Sequence, residues 1–156
     1  MGPPKTRRFV PANIMLIERA LIEVAYSNLE PRLPEFMGSV FEKICMDYLW
    51  EHYYELPISI QATGRWWGNN PKLRQEAEID IVAGNQNGEA ILCECKWRSE
   101  PLGESVVDTL LERSELLDFH NCYFYFFSKS GFTEVAKARA EQNDHIRLIS
   151  LEEILP

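Results

Sequence analysis

The chain lacks an excess of positive charge: 16 Lys and Arg stand against 24 Asp and Glu, for a formal net charge of −8. That balance argues against tight, non-specific binding to nucleic acid, which relies on a broad basic surface. Basic residues do gather locally, at Lys5, Arg7 and Arg8, at Lys72 and Arg74, and at Lys96 and Arg98. The four cysteines, Cys45, Cys93, Cys95 and Cys122, include no Cys-x-x-Cys pair, and His52, His120 and His145 are scattered. A zinc site of the usual spacing is therefore absent, and buried free thiols in a reducing compartment are the expectation. Long apolar runs are missing too. The stretch from Ile14 to Tyr26 is interrupted by Glu18, Arg19 and Glu23 and is too short to span a bilayer. No signal peptide stands at the start, so a cytoplasmic protein without membrane association is expected. There is also no Gly-x-x-x-x-Gly-Lys-Ser/Thr loop, which removes a nucleotide-binding P-loop from this stretch of chain.

What is present is an ordinary globular composition over 156 residues, 46% hydrophobic and 26% charged. That length suits one domain with a short addition. Residues 1–34 read as an N-terminal appendage, bracketed by Pro3, Pro4 and Pro11 before and Pro31 and Pro34 after, with one helix over Asn13–Ser27. Residues 35–156 read as the main domain. A helix is expected over Glu35–Tyr54, where Phe36, Val40, Phe41, Ile44, Cys45, Tyr48 and Leu49 recur at steps of three and four. Pro57 closes it. A strand begins at Ile58 and is extended or ended by Gly64-Arg65-Trp66-Trp67-Gly68, and Asn69–Gln75 reads as a loop. Strands over Glu78–Ala83 and Ala90–Trp97 are joined by the turn-forming run Gly84–Gly88. A helix over Gly103–Phe119, an apolar strand over Cys122–Phe127, a helix over Thr133–Gln142, a strand over Ile146–Ile149 and a terminal turn complete the chain. Antiparallel strands followed by β-α-β crossovers imply an α/β fold with a central mixed sheet flanked by helices.

The chemistry concentrates on the hairpin Glu78–Trp97. With the turn centred on Asn87, Asp80 falls opposite Glu94, and Glu78 opposite Lys96. Alternation would put Ile79 and Ile81 on one face with Cys93 and Cys95, and Glu78 and Asp80 on the other with Glu94 and Lys96. Opposed residues have β-carbons only about 4.5–5.5 Å apart, so two carboxylates there need a cation or a proton. A hard divalent ion with oxygen ligands answers that need. Such an ion beside a lysine can activate water and stabilise charge on a phosphate, as phosphodiester hydrolysis requires. The simpler reading of the same residues is a solvated hairpin face with a Glu78–Lys96 cross-strand pair.

Asp80 followed by Glu94-Cys95-Lys96 resembles the Asp…(Asp/Glu)-X-Lys signature of the PD-(D/E)XK nuclease superfamily, and the α-β-β-β-α-β order resembles its restriction-endonuclease-like core. Met37-Gly38-Ser39-Val40-Phe41-Glu42, Gly64–Gly68, Glu78-Ile79-Asp80-Ile81-Val82 and Glu94–Trp97 are similar to a nuclease-like domain found at the C-terminus of archaeal-type ATPases, over roughly residues 7 to 150. The one departure is Ile79, where the superfamily name places proline. The resemblance implies Asp80 and Glu94 as ligands of Mg2+ or Mn2+, the backbone carbonyl of Cys95 as a third ligand, Lys96 as the catalytic lysine and Glu42 as an accessory acid. Glu42 has another reading, because Ser39-Val40-Phe41-Glu42 is also a capping box. Arg65, Arg98 and Gln61 are candidate contacts to nucleic acid. Of Trp66 and Trp67, at least one belongs to the core, and base stacking is the alternative role.

Two functions follow as expectations. The first is a metal-dependent DNA endonuclease domain, resolvase-like, coupled to a P-loop ATPase domain in cis or in trans, either excised from such a protein or free-standing. The second is a catalytically silent nuclease-like fold that serves an ATPase as a DNA-binding or protein-interaction module. A homodimer through the N-terminal helix or the apolar strand is compatible with both.

Overall fold

The computed structural model describes residues 30–155. The expected helix over residues 13–27 and the cluster Lys5, Arg7 and Arg8 lie outside them. The chain divides between Val40 and Phe41 into two units. Of the first, the described residues form a 3-10 turn, Glu30–Arg32, and the opening of helix α1, Leu33–Glu51. The second unit holds everything that follows.

The remaining elements are a 3-10 turn at Tyr53–Glu55, strands β1 (Ala62–Asn70), β2 (Gln75–Gly84) and β3 (Glu89–Lys96), helix α2 (Glu104–Ser114), strand β4 (Asn121–Ser128), helix α3 (Glu134–Glu141), strand β5 (Ile146–Ser150) and a short helix α4 (Leu151–Ile154). The sheet runs β1-β2-β3-β4-β5. β1, β2 and β3 are antiparallel neighbours, and β4 lies parallel to both β3 and β5. The protein is thus an α/β fold with a mixed sheet flanked by helices, compatible with a restriction-endonuclease-like core. Short turns make the antiparallel joins, and the crossovers through α2 and α3 make the parallel ones. The turn before β3 needs Gly88 in particular: its φ is +78°, and a β-carbon there would stand 2.5 Å from Nδ1 of His120.

Two apolar layers hold the sheet. On one face Phe41, Cys45, Tyr48 and Leu49 of α1 pack with Ile81, Ile91, Cys93, Cys95, Tyr125, Phe127 and Ile149. On the other, Val107 and Leu110 of α2 and Ala136 of α3 pack with Ile79, Ala90, Leu92, Phe124, Phe126 and Ile146. β4 is apolar from Cys122 to Phe127 because its alternating residues meet both layers. Each large side chain fully buried here stabilises by about 1.5–3 kcal/mol. Cys45, Cys93 and Cys95 are free and buried, and Cys122 is free and half-buried.

Several boundaries differ from the sequence reading. β1 starts at Ala62, four residues later than expected, although Ile58 and Ile60 are buried in the α1 layer. Asn69, Asn70 and Gln75 belong to strands, leaving only Pro71–Arg74 as the turn, with Arg74 at φ +51°. α2 ends at Ser114, five residues earlier than expected.

The largest departure is on β2. Gly64 pairs with Val82, but Trp66 pairs with Ile79, so Asp80 and Ile81 together stand opposite Arg65. This β-bulge reverses the alternation. Ile81 stays in the α1 layer with Cys93 and Cys95, whereas Ile79 belongs to the α2 layer. The expectation that Ile79 and Ile81 share a face is wrong for that reason.

Candidate active site

The bulge also sets up the site. Pairing between β2 and β3 follows the expected register, with Ile81 opposite Cys93, and stops there. Asp80 and Glu94 come next along that register, yet they do not form a ladder pair. The strands part, and the Asp80 carboxylate fills the gap: its Oδ2 accepts the Cys95 backbone N–H at 2.8 Å. The Lys96 carbonyl accepts from Lys129 N on the β4 side, so the Cys95 carbonyl, one residue earlier, turns toward the gap.

Glu94 and Lys96 end β3, at the carboxyl edge of the parallel strands. Glu94 is buried, with 6% of its surface exposed. Its Oε1 meets Lys96 Nζ at 2.6 Å, while among the described residues its Oε2 is buried without a hydrogen-bond partner. Buried carboxylate oxygens are ordinarily satisfied, so this atom needs a further partner.

Glu42 arrives from α1. On β1, Thr63 donates to Met46 Sδ of that helix at 3.4 Å, and Arg65, two residues on, reaches Glu42 at 3.7 Å. The same Arg65 nitrogen lies 3.5 Å from Glu78 and 3.8 Å from Asp80. The anticipated Glu78–Lys96 pair does not form: among the described ion pairs Glu78 goes to Arg65 and Lys96 to Glu94. The capping-box role of Glu42 also fails, because α1 begins at Leu33 and Ser39 lies inside it.

The carboxylates resist ionisation. Burial, and then the Asp80 charge, raise Glu42 to about 7. Burial raises Asp80 against the lowering effect of the Cys95 N–H, and burial with the Asp80 charge raises Glu94. Three acids in one partly dry place carry more negative charge than Arg65 and Lys96 offset comfortably.

An open pocket of about 290 Å³ lies over Asp80, Glu94 and Lys96. Glu78 and Arg98 line it from the strand side, and Ser105, Val106, Thr109 and Arg113 from α2. Ser105, Thr109 and Arg113 went unread in the sequence. They recur every four residues on α2, a polar stripe beside the apolar one, and that spacing was the available signal. Arg113 is anchored by donating to the Glu78 carbonyl at 2.7 Å, and its charge also favours ionised Glu94.

Of the candidate contact residues, Arg98 lines the pocket and Arg65 sits among the carboxylates. Gln61 does not join them. Its N–H donates to Gly84 O and its Oε1 accepts from Gln86 N, at the far end of β2. Four residues of strand separate Gly84 from Asp80, about 13 Å.

Among the described residues, no three His, Cys, Asp or Glu side chains are already gathered around one point. A magnesium-type ion does not need that many. It commonly takes one or two carboxylates and keeps several waters. Asp80, the partnerless Oε2 of Glu94 and the Cys95 carbonyl form an all-oxygen set of the right hardness, so the residues fit such an ion.

Among the described residues, no helix is long and apolar enough to cross a membrane. No curated protein sequence matches the chain. A solved structure, of the protein of unknown function AF1548, is similar at 24% identity over 74% of this chain and 64% of that one, with a TM-score of 0.49. The chain thus spans less than two thirds of that protein's length. A family model described as archaea bacterial proteins of unknown function matches residues 7–113, more than half of the sequence, and the chain belongs to this family, DUF234.

Proposed function

We propose that the chain is a metal-dependent nuclease domain of the PD-(D/E)XK type that hydrolyses phosphodiester bonds in DNA. The observation that carries the reading is the partnerless Oε2 of buried Glu94 beside Asp80 and Lys96, in an open pocket. A purely structural ion pair would have no use for an unsatisfied, buried carboxylate oxygen. Asp80, Glu94 and the Cys95 carbonyl would hold Mg2+ or Mn2+. When bound, the ion supplies Lewis-acid activation of the phosphate and of a water. Lys96 Nζ, released from Glu94 Oε1, would donate a hydrogen bond that positions that water and, as an ammonium, would meet the charge growing on the phosphate. Glu42, raised to about 7, sits where a carboxylate can accept a proton at neutral pH. Arg98 and Arg113, on two sides of the pocket, supply positive charge toward the phosphate chain. The likeness to the C-terminal domain of archaeal-type ATPases makes a P-loop ATPase domain, in cis or in trans, the proposed partner.

The test is cleavage of linear duplex, single-stranded and four-way-junction DNA with manganese and then magnesium. Wild type should cut at least one substrate. Asp80→Ala and Lys96→Ala should lose at least about 100-fold in rate while keeping the circular-dichroism spectrum of the wild type. Equal cutting by wild type and both variants would remove the assignment.

The net charge of −8 favours a second reading, a catalytically silent module that serves an ATPase. Saturable metal binding with no cleavage of any of the three substrates, alone or with the ATPase partner, would select it.

A further inference from the structure

Arg65 is an unusual neighbour for a metal site. One nitrogen of its guanidinium lies between 3.5 and 3.8 Å from carboxylate oxygens of Glu42, Glu78 and Asp80, which come from α1 and from β2. The bulge creates this placement, because it sets Asp80 and Ile81 together across from Arg65. None of the three distances is short enough for a tight hydrogen bond. The group therefore acts as a charge held among three acids. It stands where a cation would be drawn by those acids, and it is not locked there: its side chain is 45% exposed, with solvent open to it.

We propose that Arg65 is a resident counter-ion of the carboxylate cluster, which a divalent cation entering at Asp80 must displace. Without metal the guanidinium offsets the mutual repulsion of Glu42, Glu78 and Asp80 and keeps them together. When a divalent cation enters, its two charges meet the Asp80 carboxylate that the guanidinium had offset, and like-charge repulsion drives the guanidinium outward to solvent. Arg65 thereby weakens metal binding and sets the metal concentration at which the site fills. The proposal rests on the metal site of the nuclease reading, but not on cleavage.

The experiment is calorimetric titration of Mn2+ into wild type, Arg65→Met and Arg65→Lys, at pH 8 so that Glu42 is largely ionised before metal arrives. Arg65→Met should bind roughly fivefold to tenfold more tightly, the size expected from removing one nearby charge in a partly solvated site. Arg65→Lys keeps the charge and should stay within about twofold of wild type. That contrast separates charge from packing. A second measurement covers the case in which Arg65→Met fails to fold. The side-chain Nε–Hε resonance of Arg65 in the wild-type chain, followed by NMR during Mg2+ titration, should shift saturably as the guanidinium leaves. Unchanged or weaker Mn2+ binding by a folded Arg65→Met overturns the proposal, and so does a resonance that stays put at saturating Mg2+. Absence of any metal binding by the wild type overturns it as well. Tighter binding by Arg65→Met without cleavage of DNA by the wild type upholds the proposal and removes the nuclease reading alone.

Discussion

Glu42 shows how a single residue makes stability depend on pH. Its carboxyl is raised from the ordinary value of 4.5 to about 7, first by burial and next by the Asp80 charge. In the unfolded chain it loses its proton near 4.5, whereas in the folded chain it holds it until about 7. Over that window the folded state binds more protons, so stability falls as pH rises and levels off above the folded value. Asp80 and Glu94, also raised, act with the same sign. Glu89 is lowered by Asn85 and Asn121, and any loss it causes comes at acid pH, below this window. In EDTA, the melting temperature should therefore drop by several degrees between pH 5 and pH 8, given about 2–4 °C per kcal/mol for a protein of this size. Glu42→Gln should flatten much of the slope, and saturating Mg2+ should lift the alkaline side. A melting temperature that climbs over this range in the metal-free wild type would show that these acids are not held against ionisation.

At the scale of elements, β1 and β2 carry the features that alternation alone does not reveal. Trp66 packs into the α2 layer, and its ring lies over Gly68, where a β-carbon would come within 2.8 Å of the indole Cζ2. Trp67 is 64% exposed. The two neighbours should thus separate cleanly on truncation. Trp66→Ala is expected to cost about 2 kcal/mol, below the range for a fully buried tryptophan because part of this ring remains accessible. Trp67→Ala should cost under about 0.5 kcal/mol, yet weaken binding of single-stranded DNA several-fold if its face takes a base. Urea unfolding and fluorescence anisotropy would read the two effects. Equal destabilisation by both, with DNA binding untouched, would deny Trp67 that role. The order of elements was legible in the sequence because period 3.6 is a strong signal in α1 and period 2 in β2, while β3 and β4 show as short apolar runs of strand length bounded by polar residues. So was the register of the β2–β3 hairpin, since Gly88 and its neighbours fix the turn. The bulge at Asp80 and Ile81 was not, because an extra residue in a strand leaves the local pattern intact and shows only in the partner's register. That one residue misplaced Ile79, hid the Arg65 cluster and replaced the expected Asp80–Glu94 pair with an Asp80–Cys95 contact. Gln61 was misjudged for a related reason: being on a neighbouring segment says nothing about which end of the strand it faces.

For the whole molecule, the question is how a chain with a net charge of −8 would hold a polyanion. Among the described residues the positive groups at the pocket are Lys96, Arg98 and Arg113. Each phosphate neutralised by such a group releases counter-ions, so the affinity for duplex DNA falls with salt at a logarithmic slope of about 0.9 per contact. Three contacts give a slope near −3, shallow beside that of a protein with a basic face. A divalent ion held by Asp80 and Glu94 would convert this group of acids into a place that tolerates a phosphate. Binding of a short duplex in Ca2+, chosen to occupy the site while cleaving slowly, should therefore show a slope no steeper than about −3 between 50 and 200 mM KCl. In EDTA the same duplex should bind at least about tenfold more weakly. A slope of about −6 or beyond would mean that most phosphate contacts come from elsewhere, and Lys5, Arg7 and Arg8 form a denser basic cluster in the sequence than Lys72 and Arg74. Replacing those three with glutamine would then relieve the slope, whereas under the three-contact expectation it changes little and Arg98→Gln with Arg113→Gln removes most of it.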